Sequence, residues 1–323
     1  MSANEGTKAV VAALCANLGI AVSKFIAFAI TGASSMLAEA IHSVADSGNQ
    51  LLLLIGARRS RREATPEHPF GFGRDRYIYS FIVAIVLFSV GGLFALYEAF
   101  HKYEEVHAGH PNELLEGQWW WVPLVVLIAA MLMESWSFRT AIRESNKVRS
   151  GAGWVQFIRG AKAPELPVVL LEDLAALLGL IFAFVGISLA LLTDNAYWDV
   201  AGTVAIGLLL VSVAVCLAIE TKSLLLGESA SPRAIQAIRS AIEQTPGIHG
   251  IIHLKTLHLG PDELLVAAKI AVEHNDSAST VANRIDAAEA AVRAVVPLDT
   301  LIYLEPDIYR ETAAAEPSSE PLS

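Results

Sequence analysis

Apolar residues gather into six blocks along the first two thirds of the chain, at roughly 8–31, 36–57, 77–100, 119–140, 167–192 and 197–221. A helix needs about 20 such residues to cross a hydrocarbon core of about 30 Å, so the pattern predicts six membrane-spanning helices. Past about residue 225 the blocks give way to shorter periodicities. "SPRAIQAIRSAIEQT" sets Ser231 and Pro232 at cap and first-turn positions ahead of apolar residues at helical spacing. Residues 247–259 and 263–273 are rich in Ile, Leu and Val and flank the turn signal Gly260-Pro261-Asp262. "SASTVANRIDAAEAAVRAV" reads as an amphipathic helix starting near Ser277 or Ser279, and "TLIYLEP" as a third strand. The order α-β-β-α-β suits a small two-layer α+β domain. "ETAAAEPSSEPLS" has the composition of a disordered tail. The expected fold class is therefore an all-α, six-helix membrane domain over 1–222, a cytoplasmic α+β domain over 223–310 and a tail over 311–323.

Composition agrees with a membrane protein. The 323 residues are 54% hydrophobic and 17% charged, with a mean hydropathy of +0.49, whereas about a quarter of the residues in soluble domains are charged. Charge also sets an orientation. The segment 58–76 holds six basic residues against three acidic, and 139–165 holds six against two. The alternate connections are uncharged ("TGASS") or acidic ("HKYEEVHAGHPNELLEGQ", "TDNAYWD"). Short cationic loops stay on the cytoplasmic side, which places both termini inside; the expected location is a bacterial cytoplasmic membrane. Glu104, Glu105, Glu113 and Glu116 of the outer loop follow from that charge-sidedness, and the Trp cluster at 119–121 falls where an interfacial aromatic belt lies. The first span is too long for a signal h-region and serves as its own uncleaved insertion signal. From Gly227 onward there are 14 acidic and 7 basic residues, which argues against nucleic acid as a partner. Cys15 and Cys216 lie in apolar runs with no CxxC pattern and read as buried thiols.

The second block is interrupted by chemistry. In "LAEAIHSVADSGNQ", His42 and Asp46 are one helical turn apart on one face, and Glu39 joins that face a turn earlier. A His and a carboxylate at this spacing can ligate one divalent metal, but a zinc site wants four ligands. The fifth block supplies candidates in "VVLLEDLAALLG", where Glu172 and Asp173 are adjacent acids flanked by apolar residues. Acids at bilayer depth each cost about 2.5–3.5 kcal/mol on insertion scales. A shared cation removes that difficulty; an ion pair with Lys24 of the first span is the alternative. His42 alone also fits a hydrogen-bonded packing role. Glu134 reads as snorkelling or pairing with Arg139, and Asp199 as interfacial.

With these features in place, the chain resembles the cation diffusion facilitator family. The resemblance covers nearly the whole chain: six spans, HxxxD in the second, acids in the fifth and the α-β-β-α-β tail. Its most specific stretches, "TGASSMLAEAIHSVADSGNQ" and "HPFGFGRDRY", look like the branch that includes the mitochondrial zinc transporter nine. The resemblance implies a homodimeric exporter that exchanges a divalent transition metal, usually zinc, for protons. It implies a ferredoxin-like, metallochaperone-like tail, and His42 and Asp46 as the transport-site pair. The family usually has His or Asp one turn before the fifth-span Asp, yet Val169 precedes Asp173 and Val168 precedes Glu172 at that distance. The neighbouring acid, Glu39 or water then completes coordination, with Lys24 and Glu39 as second-shell or proton-path groups. Many members carry HPxGHG in the loop after span two. Here "HPFGFG" keeps His68 but has Phe72 in the second position, leaving His68 either to shape the turn or to bind metal. In the tail, positions that often hold His are Ile252, Lys269 and Tyr303. His253, His258 and His274 read as surface residues, and the spacing of five sends His253 and His258 to opposite faces of a regular strand.

The expected activity is Zn²⁺/H⁺ antiport by alternating access, with the same carrier for Mn²⁺, Fe²⁺ or Co²⁺ as the nearest alternative and a membrane metal sensor as a different class. No HExxH and no nucleophile–base pair is present, so an enzyme is not expected. No cofactor is expected beyond the transported metal. The partners are the metal cation, protons, the lipid bilayer and a second copy of the chain.

Overall fold

A computed structural model describes residues 3–31, 34–109, 120–149 and 151–308. The expected tail over 311–323 and the acids Glu113 and Glu116 lie outside the described residues, as do the side chains of Glu39 and His42. The chain divides into two compact units, Met1–Leu225 and Leu226–Ser323.

The first unit is helical: α1 (Ala3–Thr31), α2 (Ser34–Arg59), α3 (Asp75–His107), α4 (Trp121–Val148), a short α5 (Trp154–Gly160), α6 (Glu165–Thr193) and α7 (Tyr197–Leu226). Four of these, α3, α4, α6 and α7, are long and apolar enough to cross a membrane, and α1 carries an apolar stretch at Val10–Ile26. Their outward faces are apolar and exposed, with Val22, Ile26, Leu132, Trp136, Leu208 and Ile219 among them. This unit is an integral membrane domain. Cys15 and Cys216, expected to be buried, are instead exposed, because each sits on an outward, apolar helix face.

Several helices outrun the apolar blocks that predict them. α3 continues through "HKYEEVH", which was expected to be loop. Nothing in that stretch breaks a helix, and side-chain pairs one turn apart support it: His101 Nδ1 is 3.4 Å from Glu105 Oε1, and Tyr103 stacks on His107. α4 continues beyond its apolar block to Val148. α6 accepts Pro167 because it lies in the first turn, where its missing N–H has no intrahelical partner to lose. The helix stops at Asp194, which adopts a left-handed conformation (φ 53°) that Asp tolerates. Within α3, Leu87–Leu93 is wound as a π-helix containing Gly91 and Gly92. A Cβ on Gly92 would fall 3.1 Å from the backbone nitrogen of Val211, so glycine permits α3 and α7 to approach.

The second unit runs α8 (Pro232–Glu243), β1 (Gly250–Gly260), β2 (Glu263–Val272), α9 (Ala278–Val295) and β3 (Asp299–Ile308). Ser231 Oγ caps α8 by accepting from Ala234 N at 3.2 Å, and Ser277 Oγ caps α9 by accepting from Thr280 N at 3.2 Å. The sheet order is β1-β2-β3. β1 and β2 are antiparallel with irregularities at Ile251/His253 and His258/Gly260, and β2 and β3 are parallel. β2 alternates up to Ile270, burying Leu264, Val266, Ala268 and Ile270 against Ile238, Ile242, Ala288 and Val292 of the two helices.

Candidate metal-transport site

α2 is built inside out. Between Ser43 and Gln50 its buried positions are polar (Ser43, Ser47, Asn49 and Gln50), while Val44, Leu51 and Ile55 are exposed; Leu53, further along, joins the apolar core. Asp46 lies among these polar residues, with Asn49 and Gln50 one turn further on. α6 meets this face with two buried acids, Glu172 and Asp173. Successive helical residues diverge by about 100°, and the two acids accordingly find different partners. Glu172 Oε1 accepts from Asn49 Nδ2 at 2.9 Å and Oε2 from Gln50 Nε2 at 2.8 Å. Gln50 Oε1 in turn accepts from Asn17 Nδ2 of α1 at 3.3 Å. Asp173 Oδ2 accepts from Ser137 Oγ of α4 at 2.8 Å. Lys24 of α1 is buried and donates to Ser43 Oγ at 2.9 Å. Four helices, α1, α2, α4 and α6, thus contribute buried polar contacts here, joined by electrostatic influence among Asp46, Glu172 and Asp173.

Asp46, Glu172, Asp173 and Lys24, all singled out from sequence, share this region: Asp46 acts electrostatically on both α6 acids. Glu134 joins them. It is buried and in electrostatic reach of Asp173, Asp46 and Lys24, which corrects the expectation that it snorkels or pairs with Arg139. The signal was available in the spacing of Glu134 and Ser137, three apart on one face of α4. Among the described residues, no three His, Cys, Asp or Glu side chains already converge as a metal site. The amide and hydroxyl donors hold Glu172 and Asp173 to separate helices.

A second feature was missed because both partners read as loop charges. Arg76, at the start of α3, and Glu165, at the start of α6, form a buried two-pronged ion pair: Nη2 is 2.9 Å from Oε2, and Nε reaches Oε1. Asp199, at the head of α7, stands 3.5 Å from Lys102 Nζ.

The remaining candidates lie elsewhere. His68 is exposed. Its backbone closes a turn with Thr65 (Thr65 N to His68 O 3.2 Å, His68 N to Thr65 O 3.0 Å) and its ring sits 4.8 Å from that of Phe72. In the soluble unit, Lys269 Nζ lies 3.2 Å from Glu305 Oε1 and 3.3 Å from Asp307 Oδ2, and these two carboxylates push its ammonium above the usual lysine range. His253 and His274 are exposed. His258, expected at the surface, is buried at 4% exposure. The segment after α7 covers it: His258 N donates to Glu228 O at 2.9 Å, and Ala230 N donates to Thr256 Oγ1 at 3.0 Å.

Comparison with known proteins places this architecture. Residues 10–226 match the model of the cation efflux transmembrane domain. The chain is 31% identical over 265 residues to the proton-coupled zinc antiporter SLC30A9, mitochondrial, of Xenopus laevis, covering 81% of this chain and 46% of the relative. It is 26% identical over 265 residues to metal tolerance protein C4 of Arabidopsis thaliana, covering 81% and 56%. It is 26% identical over 303 residues to the cation-efflux pump FieF of Pectobacterium atrosepticum, covering 93% and 92%. The chain spans about half the length of the SLC30A9 relatives it matches. A family match across the whole helical unit, together with that identity, shows that the chain belongs to the cation efflux, or cation diffusion facilitator, family and resembles its SLC30A9 branch.

Proposed function

We propose that the protein exports a divalent transition metal, zinc in the first instance, in exchange for protons. The observation that carries this reading is the set of carboxylates gathered at membrane depth, the half-buried Asp46 on α2 with the buried Glu172 and Asp173 on α6. The name borne by the SLC30A9 relatives, proton-coupled zinc antiporter, supports the choice of metal and counter-ion. In this reading His42, Asp46 and the Glu172–Asp173 pair supply the cation's ligands. Glu39 and Lys24 stand behind them, and His68 is a weaker loop candidate.

The cycle follows from ligand chemistry. Metal binds to deprotonated ligands and displaces protons. On the opposite side, protonation of His42 and a carboxylate loosens coordination and releases the ion, and the returning protons reset the carrier. Six spans, both termini in the cytoplasm of a bacterial cell, the domain limits 1–222, 223–310 and 311–323, a ferredoxin-like soluble domain and a homodimer complete the proposal. The near-equal lengths matched in FieF support the bacterial setting.

A second reading, the same carrier for Mn²⁺, Fe²⁺ or Co²⁺, draws on the acids: oxygen ligands suit harder ions than imidazole does. Proteoliposomes loaded with one metal at a time test both. Zinc flux with an opposing pH change, lost in His42→Ala and Asp46→Ala, is the expected result. Normal flux in both variants excludes this site, and a preference for Mn²⁺ over Zn²⁺ selects the second reading.

A further inference from the structure

Glu134 is a buried acid that the proposed site leaves unused. It lies 2% exposed in a stripe of buried α4 residues, Leu127, Ala130, Glu134, Ser137 and Ala141. Steps of three and four put these on one helix face, and Ser137 shows where that face points, because its hydroxyl donates to Asp173 at 2.8 Å. Glu134 stands one turn from Ser137 and in electrostatic reach of Asp173, Asp46 and Lys24. Four acids, Asp46, Glu134, Glu172 and Asp173, therefore share this part of the membrane with Lys24. Carboxylates at such depth need compensating charge.

Asn49 supplies an independent observation. Its side chain is 1% exposed, and its Nδ2 is committed to Glu172. Its Oδ1 is buried and has no hydrogen-bond partner among the described residues. Native structures rarely leave a buried amide oxygen unsatisfied without a reason such as an ion or water that occupies the place. Both oxygens of Glu172, by contrast, are held by amide N–H groups, so of the two α6 acids Asp173 is the more readily turned toward an ion.

We propose that Glu134 is a ligand of the transported cation, sharing it with Asp46 and Asp173, with Asn49 Oδ1 as a further oxygen facing the ion. The inference rests on the transport-site reading above. It supplies, from α4, the ligand that Val168 and Val169 do not provide on α6. When deprotonated, Glu134 and Asp173 repel each other, and a divalent cation between them would turn that repulsion into shared attraction. The resulting shell is rich in oxygen, which extends the range toward Mn²⁺, and an added imidazole keeps Zn²⁺ or Co²⁺ within it.

The test uses the full-length protein in detergent, with Cys15→Ser and Cys216→Ser as the parent, and Co²⁺ or Zn²⁺ as the only added metal. Glu134→Cys in this parent is expected to give a near-ultraviolet thiolate-to-cobalt charge-transfer band that is absent from the parent and is lost when Asp46→Asn is added. A residue that only packs at this position produces no such band. Glu134→Gln is expected to weaken Zn²⁺ binding at least tenfold, with partial recovery in Glu134→Asp. Co²⁺ bound by the Glu134→Cys protein without the band, or an unchanged Zn²⁺ affinity in Glu134→Gln, overturns the proposal, and the transport site stands if Asp46→Asn alone still abolishes binding. If Asp46→Asn binds both metals as the parent does, the transport-site reading fails and this proposal fails with it.

Discussion

Glu172 shows what holds an acid in place at bilayer depth. Both its oxygens accept amide N–H bonds, and the chain continues through Gln50 to Asn17 on α1. Truncation in Glu172→Ala strands two buried donors, each worth about 1–3 kcal/mol when left unpaired. Its thermal midpoint in detergent is expected to fall well below that of Glu172→Gln. The glutamine can keep both contacts, because the Gln50 and Asn17 amides can turn over to present the complementary atom. Equal midpoints would show that the network does not stabilise the fold. Removing one partner of the buried Arg76–Glu165 pair leaves an unpaired charge, a loss of about 3–5 kcal/mol. Arg76→Met and Glu165→Gln are therefore each expected to unfold more readily than the double variant, as a double-mutant cycle of unfolding would measure. These contacts set the limit of what the sequence discloses. Asp46, Glu172 and Asp173 stand out in the sequence because ionisable residues in apolar blocks are costly and so conspicuous. Asn49, Gln50 and Ser137 are neutral and raise no such flag. Glu134, Arg76 and Glu165 sit close enough to the ends of their apolar blocks to pass for interfacial charges, and only the packing of α3, α4 and α6 shows them buried.

At the scale of elements, close packing and cross-strand pairing carry the predictions. Gly186 of α6 and Gly202 of α7 meet backbone to backbone: a Cβ on Gly186 would lie 2.9 Å from Trp198 O, and one on Gly202 would lie 2.9 Å from Phe182 O. Neither carbonyl can move without its helix, so Gly202→Val is expected to separate the pair and cost about 1–3 kcal/mol as an overpacking change. A lower thermal midpoint with Val, and a smaller effect with Ala, checks this. In the soluble unit, Glu263 of β2 is paired in register with Asp299 of β3. Burial first, and then Asp299, raise Glu263 above the usual carboxylate range. The folded domain therefore holds this proton more firmly than the unfolded chain does. The favourable contribution is complete below the unfolded carboxylate value and is lost as pH rises through the raised one. Glu263→Gln is expected to stabilise the sheet at neutral pH by a few tenths of a kcal/mol, given solvent screening. The gain should vanish on acidification, and hydrogen exchange of β2 and β3 in the full chain at two pH values measures it. In the soluble unit, element identity was readable from periodicity, down to the caps Ser231 and Ser277, whereas the short α5 was not foreseen. Element ends were not, because α3 and α4 continue on polar sequence that is helical without being apolar.

For the molecule as a whole, charge distribution and apolar blocks together make a claim that neither makes alone. If alternate connections lie on opposite sides of the membrane, the arginines at 58, 59, 61 and 62 share one side with Arg149 and Arg159, and Asp194 and Asn195 lie on the other. The positive-inside bias assigns the basic side to the cytoplasm. The proposed direction of transport depends on this, since export requires the metal to enter from the side on which the basic loops lie. Single cysteines placed at exposed loop positions in a Cys15→Ser, Cys216→Ser background separate the alternatives. Arg61→Cys and Gly151→Cys are expected to react with a membrane-impermeant maleimide only after the cell membrane is opened, and Asn195→Cys before it. The opposite pattern reverses the orientation and turns the same antiport cycle into metal uptake. Labelling of Arg61→Cys and Gly151→Cys on different sides would remove one of the spans between them and, with it, the topology that brings α2, α4 and α6 to a common site.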